Sequence, residues 1–229
     1  MTLHRFFVAS AGTEGDRFPL PSPIERQVRS VLRLIDGDRL VLLPGDGTQA
    51  LCRLEGRDCV VLERSTVVTE PTHRLTVVQA LIKGDGLEEV VQHATELGVA
   101  AFRLVVTERC VARDVSSRRL ERLRAVAREA AEQSERGMVP TIGEPVKLAQ
   151  AFAPGAALLY ERHPGPGLSG LEAPAAIIIG PEGGFSPAEM AAAEGAGVTI
   201  TGLGPRILRS QTVAVAAAAV ILARTGDFA

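Results

Sequence analysis

The run Ala175-Ala176-Ile177-Ile178-Ile179 contains no polar side chain, and that fact limits the folds open to the chain. A strand with one wet face alternates apolar and polar residues. A continuous apolar run instead fits a strand covered on both faces, as in a parallel sheet layered between helices. The residues that follow sharpen the expectation. Gly180-Pro181-Glu182-Gly183-Gly184 is a glycine-rich turn, and Ser186, Pro187 and Glu189 then supply the N-cap, first-turn proline and capping-box glutamate of a helix start. This stretch reads as buried strand, tight turn, helix.

The same alternation begins near residue 71. Residues 75–82 and 101–106 read as strands on either side of a helix over 87–97, where Leu87, Val90, Val91, Ala94 and Leu97 share a face and Gly98 is the stop. A long helix is expected over 116–135, with Leu120, Leu123, Ala127, Ala130 and Ala131 inward. Further apolar strands are expected over 156–160 and 198–201. Residues 1–70 differ. They read as short strands over 5–9, 39–43, 49–54 and 58–64, with Pro44-Gly45-Asp46-Gly47 as a hairpin signal. One helix, over 23–34, interrupts them. With 229 residues to distribute, the expected division is a small β-barrel-like module over 1–70 and an α/β domain with a mainly parallel sheet over 71–229.

Charge excludes an indiscriminate polyanion binder, because the net charge is −2. Locally the balance differs: residues 101–140 hold nine arginines against six carboxylates. This is either a basic face or a solvated helix surface. Arg26, Arg29 and Arg33 recur at helical spacing and offer a second, narrower stripe. The three cysteines lack a CxxC spacing and are expected as buried small hydrophobes in a reducing cytosol. The four histidines show no ligand spacing, so no metal is expected. The most apolar segment, 213–223, is too short to span a bilayer, and a cytoplasmic protein with no membrane partner is expected.

In open α/β sheets ligands bind beyond the C-terminal ends of the strands. Two turns lie there: the glycine-rich turn after residue 179, and Gly202-Leu203-Gly204-Pro205-Arg206-Ile207-Leu208-Arg209-Ser210-Gln211-Thr212. Neither matches a GxGxxG fingerprint or a phosphate loop, which disfavours dinucleotide and ATP sites. The helix expected over 212–224 is apolar on nearly every side, so its own domain or a second subunit must cover it.

Five segments in order carry a resemblance: His4-Arg5-Phe6-Phe7-Val8, Thr95-Glu96-Leu97-Gly98-Val99, Glu129-Ala130-Ala131-Glu132-Gln133-Ser134 with Arg136 and Val139-Pro140, Ile179-Gly180-Pro181-Glu182-Gly183-Gly184-Phe185-Ser186, and Leu203-Gly204-Pro205-Arg206-Ile207-Leu208-Arg209. Together they resemble the bacterial 16S rRNA (uracil-N3)-methyltransferases of the RsmE type, in the SPOUT class. The resemblance implies a PUA-like RNA-binding barrel and a SPOUT α/β domain tied in a trefoil knot. It also implies S-adenosyl-L-methionine as cofactor, a homodimer, and 16S rRNA or the small ribosomal subunit as partner. Two positions depart from the family's usual pattern: His93 stands where lysine is common, and Ser210-Gln211 stands where Thr-Glu is common. A knotted methyltransferase acting on another rRNA or tRNA base, or a non-catalytic ribosome-assembly factor, are the alternative readings.

The site that the resemblance implies follows the two turns. The cofactor is expected on Tyr160, Glu161, Ile179, Gly180, Pro181, Glu182, Gly183, Gly184, Leu203, Gly204, Arg206, Ile207, Leu208 and Thr212. Uracil N3 must lose a proton, so Glu182 is the expected base, and Arg206 and Arg209 are expected to stabilise the anion. The target nitrogen lies on the pairing edge, so the nucleotide is read unpaired or flipped. Arg5, Arg26, Arg29, Arg33, Arg109, Arg113 and Arg136 are the expected RNA contacts, because one tyrosine and no tryptophan leave no broad stacking platform.

Overall fold

The computed structural model describes residues 3–9, 15–165 and 167–228. The chain forms two compact units, Met1–Glu70 with Ala131–Val139, and Pro71–Ala130 with Pro140–Ala229.

The first unit is built on a five-stranded sheet of β1 (His4–Phe7), β2 (Arg17–Pro19), β3 (Arg39–Leu43), β4 (Thr48–Glu55) and β5 (Asp58–Thr66), in the order β1-β3-β4-β5-β2. The turn at residues 44–47 joins β3 to β4 as an antiparallel hairpin, with Leu40 opposite Cys52 and Leu42 opposite Ala50. Phe6, Phe18, Leu40, Leu42, Leu54 and the thiols of Cys52 and Cys59 make a buried core. Strand β2, Arg-Phe-Pro, is too short to show an apolar alternation in the sequence.

The helix expected over 23–34 is broken. Helix α1 (Ser22–Arg26) passes into a wider π-type turn over Gln27–Val31, and Arg33 then adopts a left-handed backbone with φ 58°. The wider turn rotates successive side chains off α-helical spacing. Val28 is therefore buried while Val31, three residues on, is 70% exposed. Of Arg26, Arg29 and Arg33, Arg29 is drawn into bonds with Leu34 O, Asp36 and Gly56 O, while the other two stay exposed.

The second unit contains β6 (Thr76–Ala80), α2 (Gly86–Glu96), β7 (Ala101–Val106), α3 (Ser117–Gln133), β8 (Thr141–Ile142), β9 (Val146–Lys147), β10 (Ala156–Leu159), β11 (Ala176–Ile179), α4 (Pro187–Gly195), β12 (Thr199–Thr201) and α5 (Ser210–Arg224). The last residues of α3 belong with the first unit. The strand order is β12-β10-β11-β6-β7-β8, with β9 also pairing β7, and every registered pair is parallel. An α/β fold with a parallel sheet is thus observed. Strands β8 and β9 span two residues each, too few to show a period. Val77, Val78, Ile177, Ile178 and Leu158 are buried, as strands covered by helices require.

Between β10 and β11 the chain makes two attachments that set up the site. Leu168 N–H donates to Gly202 O at 2.8 Å, and Arg224 Nη1 donates to Leu168 O at 3.2 Å. This segment is therefore bonded both to the end of β12 and to the end of α5. Among the described residues no helix is long and apolar enough to cross a membrane.

Candidate functional site

Strands β10, β11 and β12 are neighbours, so the loops leaving their C-terminal ends converge at one edge of the sheet. A cavity of about 600 Å³ opens there. The loop after β10 contributes Tyr160 and Glu161, and the loop after β11 contributes Gly180, Pro181, Glu182 and Gly184. The loop after β12 contributes Leu203, Gly204, Arg206, Ile207, Leu208 and Arg209, and Ile179 forms part of the floor. Two turns separated by more than a helix in sequence face the same space.

Gly183 and Thr212, also expected there, are not in the lining. Gly183 faces the other way: Arg109 Nη1 donates to its carbonyl at 3.0 Å, and a Cβ on Gly183 would stand 3.1 Å from Arg109 Cβ. Helix α5 begins at Ser210 rather than Thr212, which turns Thr212 to solvent and brings Ser210, Gln211 and Val213 to the cavity instead. Leu159 and Phe185 complete the apolar lining and were not anticipated. Phe185 directly follows the glycine turn, a signal that was available in the sequence.

The glycine turn is held from both sides. Ser186 N–H donates to Glu189 Oε2 at 2.9 Å and Glu189 N–H donates to Ser186 Oγ at 3.2 Å, the expected capping box. The second oxygen of Glu189 accepts from Glu108 N–H at 2.8 Å, which anchors the start of α4 to the loop after β7. Gly180 lies against the Phe185 ring, where an added Cβ would approach to 3.1 Å. Gly204 has φ 88°, a left-handed conformation that L side chains rarely adopt.

The polar lining carries both signs. Glu161, Glu182, Arg206 and Arg209 are all exposed, and among the described residues none makes an ion pair. Glu182 Oε1 accepts from the backbone N–H of Lys83, three residues past the end of β6, at 3.2 Å. The departing residues separate in space. Gln211 lines the cavity, whereas His93 is exposed on α2 with Nδ1 3.4 Å from Glu96 Oε2.

The arginines expected to meet RNA divide into two groups. Arg26, Arg33, Arg109 and Arg113 are exposed, although Arg109 also holds Gly183 O and Arg113 holds Thr107 O at 2.9 Å. Arg5, Arg29 and Arg136 are committed inside the first unit. Arg5 bonds Gln49 and Glu135, and Arg29 bonds Leu34 O, Asp36 and Gly56 O. Arg136 is 3% exposed and pairs with Glu70 at 2.8 Å. A guanidinium enclosed in this way braces the fold and does not face a polyanion.

The RNA methyltransferase domain family matches residues 69–222. A ribosomal RNA small subunit methyltransferase E from Synechocystis is 35% identical, over 85% of this chain and 69% of its own. The protein of the same name from Bacillus subtilis is 30% identical over 97% of both chains. Among solved structures, the ribosomal RNA small subunit methyltransferase E of Neisseria gonorrhoeae bound to S-adenosyl methionine superposes with a TM-score of 0.89. It is 28% identical, and the match covers 97% of this chain and 98% of that one. With a parallel sheet of this order and a cavity at its strand ends, the chain belongs to the family of ribosomal RNA small subunit methyltransferases E.

Proposed function

We propose that this protein methylates N3 of one uridine in 16S rRNA on the small ribosomal subunit, drawing the methyl group from S-adenosylmethionine. The observation that carries the reading is the meeting of the loops after β10, β11 and β12 around one cavity. Its size is within the range of small-molecule sites, roughly 300–1,000 Å³.

The lining suits the cofactor chemically. Ile179, Ile207 and Leu208 offer apolar surface to a purine ring, and the backbone groups of the two loops offer partners for its edge and for a ribose. Arg206 complements a carboxylate, and Glu161 complements an ammonium or sulfonium charge. When bound, the cofactor supplies an already activated methyl group, so the protein needs no nucleophile of its own. What the chain adds is alignment, exclusion of water and proton management. Glu182, oriented by Lys83 N–H, accepts the N3 proton. Arg206 and Arg209 stabilise the charge that spreads onto the flanking carbonyl oxygens. Gln211 carries an amide at the cavity and cannot serve as base.

Three further features belong to the same reading. Residues 1–70 act as a PUA-like RNA-binding module, supported by a five-stranded sheet with its own core. The C-terminal region is knotted, supported by the double attachment of the 160–171 segment to Gly202 and Arg224. The protein works as a homodimer: Val213, Val215, Ala216, Ala219 and Val220 leave an incompletely covered apolar side on α5, and Ile207 nearby in sequence is 71% exposed. RNA contact falls to Arg26, Arg33, Arg109 and Arg113, which present exposed guanidinium groups.

The experiment is transfer of a labelled methyl group to small subunits from a strain lacking the modification, followed by nucleoside analysis. Label in 3-methyluridine at a single position supports the proposal. Label in another nucleoside, or none, overturns it.

A further inference from the structure

Strand β6 reads Thr-Val-Val-Gln-Ala, and its glutamine is fully buried. An amide in such a position is unfavourable unless its hydrogen bonds are made. Gln79 Nε2 makes two, to Ala80 O at 3.0 Å and to Ser210 Oγ at 2.9 Å, while Oε1 has no partner among the described residues. Half of the amide is therefore satisfied, so an apolar residue of the same length would suit the core at least as well. What the amide does supply is a fixed donor to one hydroxyl.

That hydroxyl joins the two loops. Ser210 Oγ donates to Gly180 O at 2.7 Å, and with Gln79 as donor it accepts on its other side, so its proton has one direction left. Gly180 opens the loop after β11, Ser210 closes the loop after β12, and both line the cavity. Between Ser210 and Gly202 the chain is poorly anchored: Gly204, Pro205, Arg206, Ile207 and Arg209 are exposed. The helix start gives no other support, because Arg209 at the N-cap makes no side-chain capping bond.

We propose that Gln79 is a positioning residue for the cofactor cavity: its amide sets the Ser210 hydroxyl on the Gly180 carbonyl and so fixes the spacing of the two cofactor loops. The proposal rests on the cavity being the S-adenosylmethionine site. It adds a residue from a third strand, which touches neither loop through its backbone. Gln79→Met preserves length and removes the donor, Ser210→Ala removes the bridge, and Ser210→Thr restores a hydroxyl.

The test is calorimetric titration of the intact protein with S-adenosylhomocysteine, together with steady-state methyl transfer. Loss of one such hydrogen bond corresponds to about a tenfold weakening. Gln79→Met and Ser210→Ala should each raise Kd by about 10-fold, and the double variant by about 10-fold rather than about 100-fold, because one chain of bonds is cut twice. KM for the methyl donor should rise more than kcat falls, and Ser210→Thr should bind like the parent.

Lowered melting temperature with unchanged Kd and KM in Gln79→Met would make the amide structural only and overturn the proposal. Should Gln79→Met fail to fold, Ser210→Ala decides alone: weaker binding supports the proposal, unchanged binding overturns it. No binding by the parent protein would instead refute the cofactor reading itself, a separate and recognisable failure.

Discussion

The backbone N–H of Lys83 donates to Glu182 Oε1 at 3.2 Å, tying the one carboxylate in the glycine turn to the loop that follows the neighbouring strand β6. Glutamine at position 182 could keep that bond through its amide oxygen while losing the capacity to take a proton. Glu182→Gln is therefore expected to lower kcat by about 100-fold, a typical general-base contribution, with cofactor affinity little changed. Its activity should climb with pH as solvent removes the N3 proton. A pH profile and calorimetry check both, and an unaltered kcat would remove Glu182 from the role of base.

Arg209 stands at the N-cap of α5 with an exposed side chain beside the cavity. If it stabilises charge that develops during transfer, Arg209→Ala should lower turnover about 100-fold and cofactor affinity far less. Equal losses in single-turnover rate and binding would make it a binding residue.

The two turn glycines face different surroundings. Gly204 needs its left-handed backbone, and a β-branched side chain there costs about 1–2 kcal/mol in conformation alone. Gly204→Val should weaken S-adenosylhomocysteine binding by at least about 10-fold while circular dichroism stays unchanged. Gly183→Ala would bring a Cβ to 3.1 Å from Arg109 Cβ and 3.5 Å from its backbone oxygen, outside the cavity lining, so the loop after β7 must yield by a few tenths of an ångström while cofactor binding stays close to that of the parent. Reversed rankings in calorimetry would contradict this assignment of the two loops.

The pattern of success and failure in the sequence has physical causes. Buried strands such as β11, the capping box at Ser186 and Glu189, and the inward face of α3 were legible because apolar period and local hydrogen-bonding rules act over a few residues. The meeting of the 180 and 203 loops was legible only in outline, from where such loops stand at strand ends. Three things were not legible. The π-type turn at Gln27–Val31 changes the period within a single helix, so Arg26, Arg29 and Arg33 looked like a stripe. Arg136 looked like a surface charge because its partner Glu70 lies sixty-six residues away. Gln79 carries no local sign of its role, because its partner Ser210 is 131 positions distant.

The Arg136 guanidinium is buried against Glu70, whose Oε1 also accepts from Gly137 N–H and Met138 N–H, both at 3.0 Å. Removing the guanidinium takes one charged partner from Glu70, which is partly exposed and keeps its two N–H donors, at a cost of about 2 kcal/mol. Arg136→Ala should lower the urea midpoint accordingly, whereas Arg26→Ala and Arg33→Ala should leave stability nearly unchanged and weaken rRNA binding. Weakened RNA binding by Arg136→Ala at full stability would restore it as a contact residue.

What fills the space between the loops after β10, β11 and β12 decides the function, and a crystal structure of this protein grown with S-adenosylhomocysteine measures that directly. Density for the adenosyl group between Ile179 and Leu208, with the homocysteine end near Arg206, Arg209 or Glu161, is the predicted result. A bound ligand elsewhere on the protein, with this cavity filled only by solvent, would contradict it.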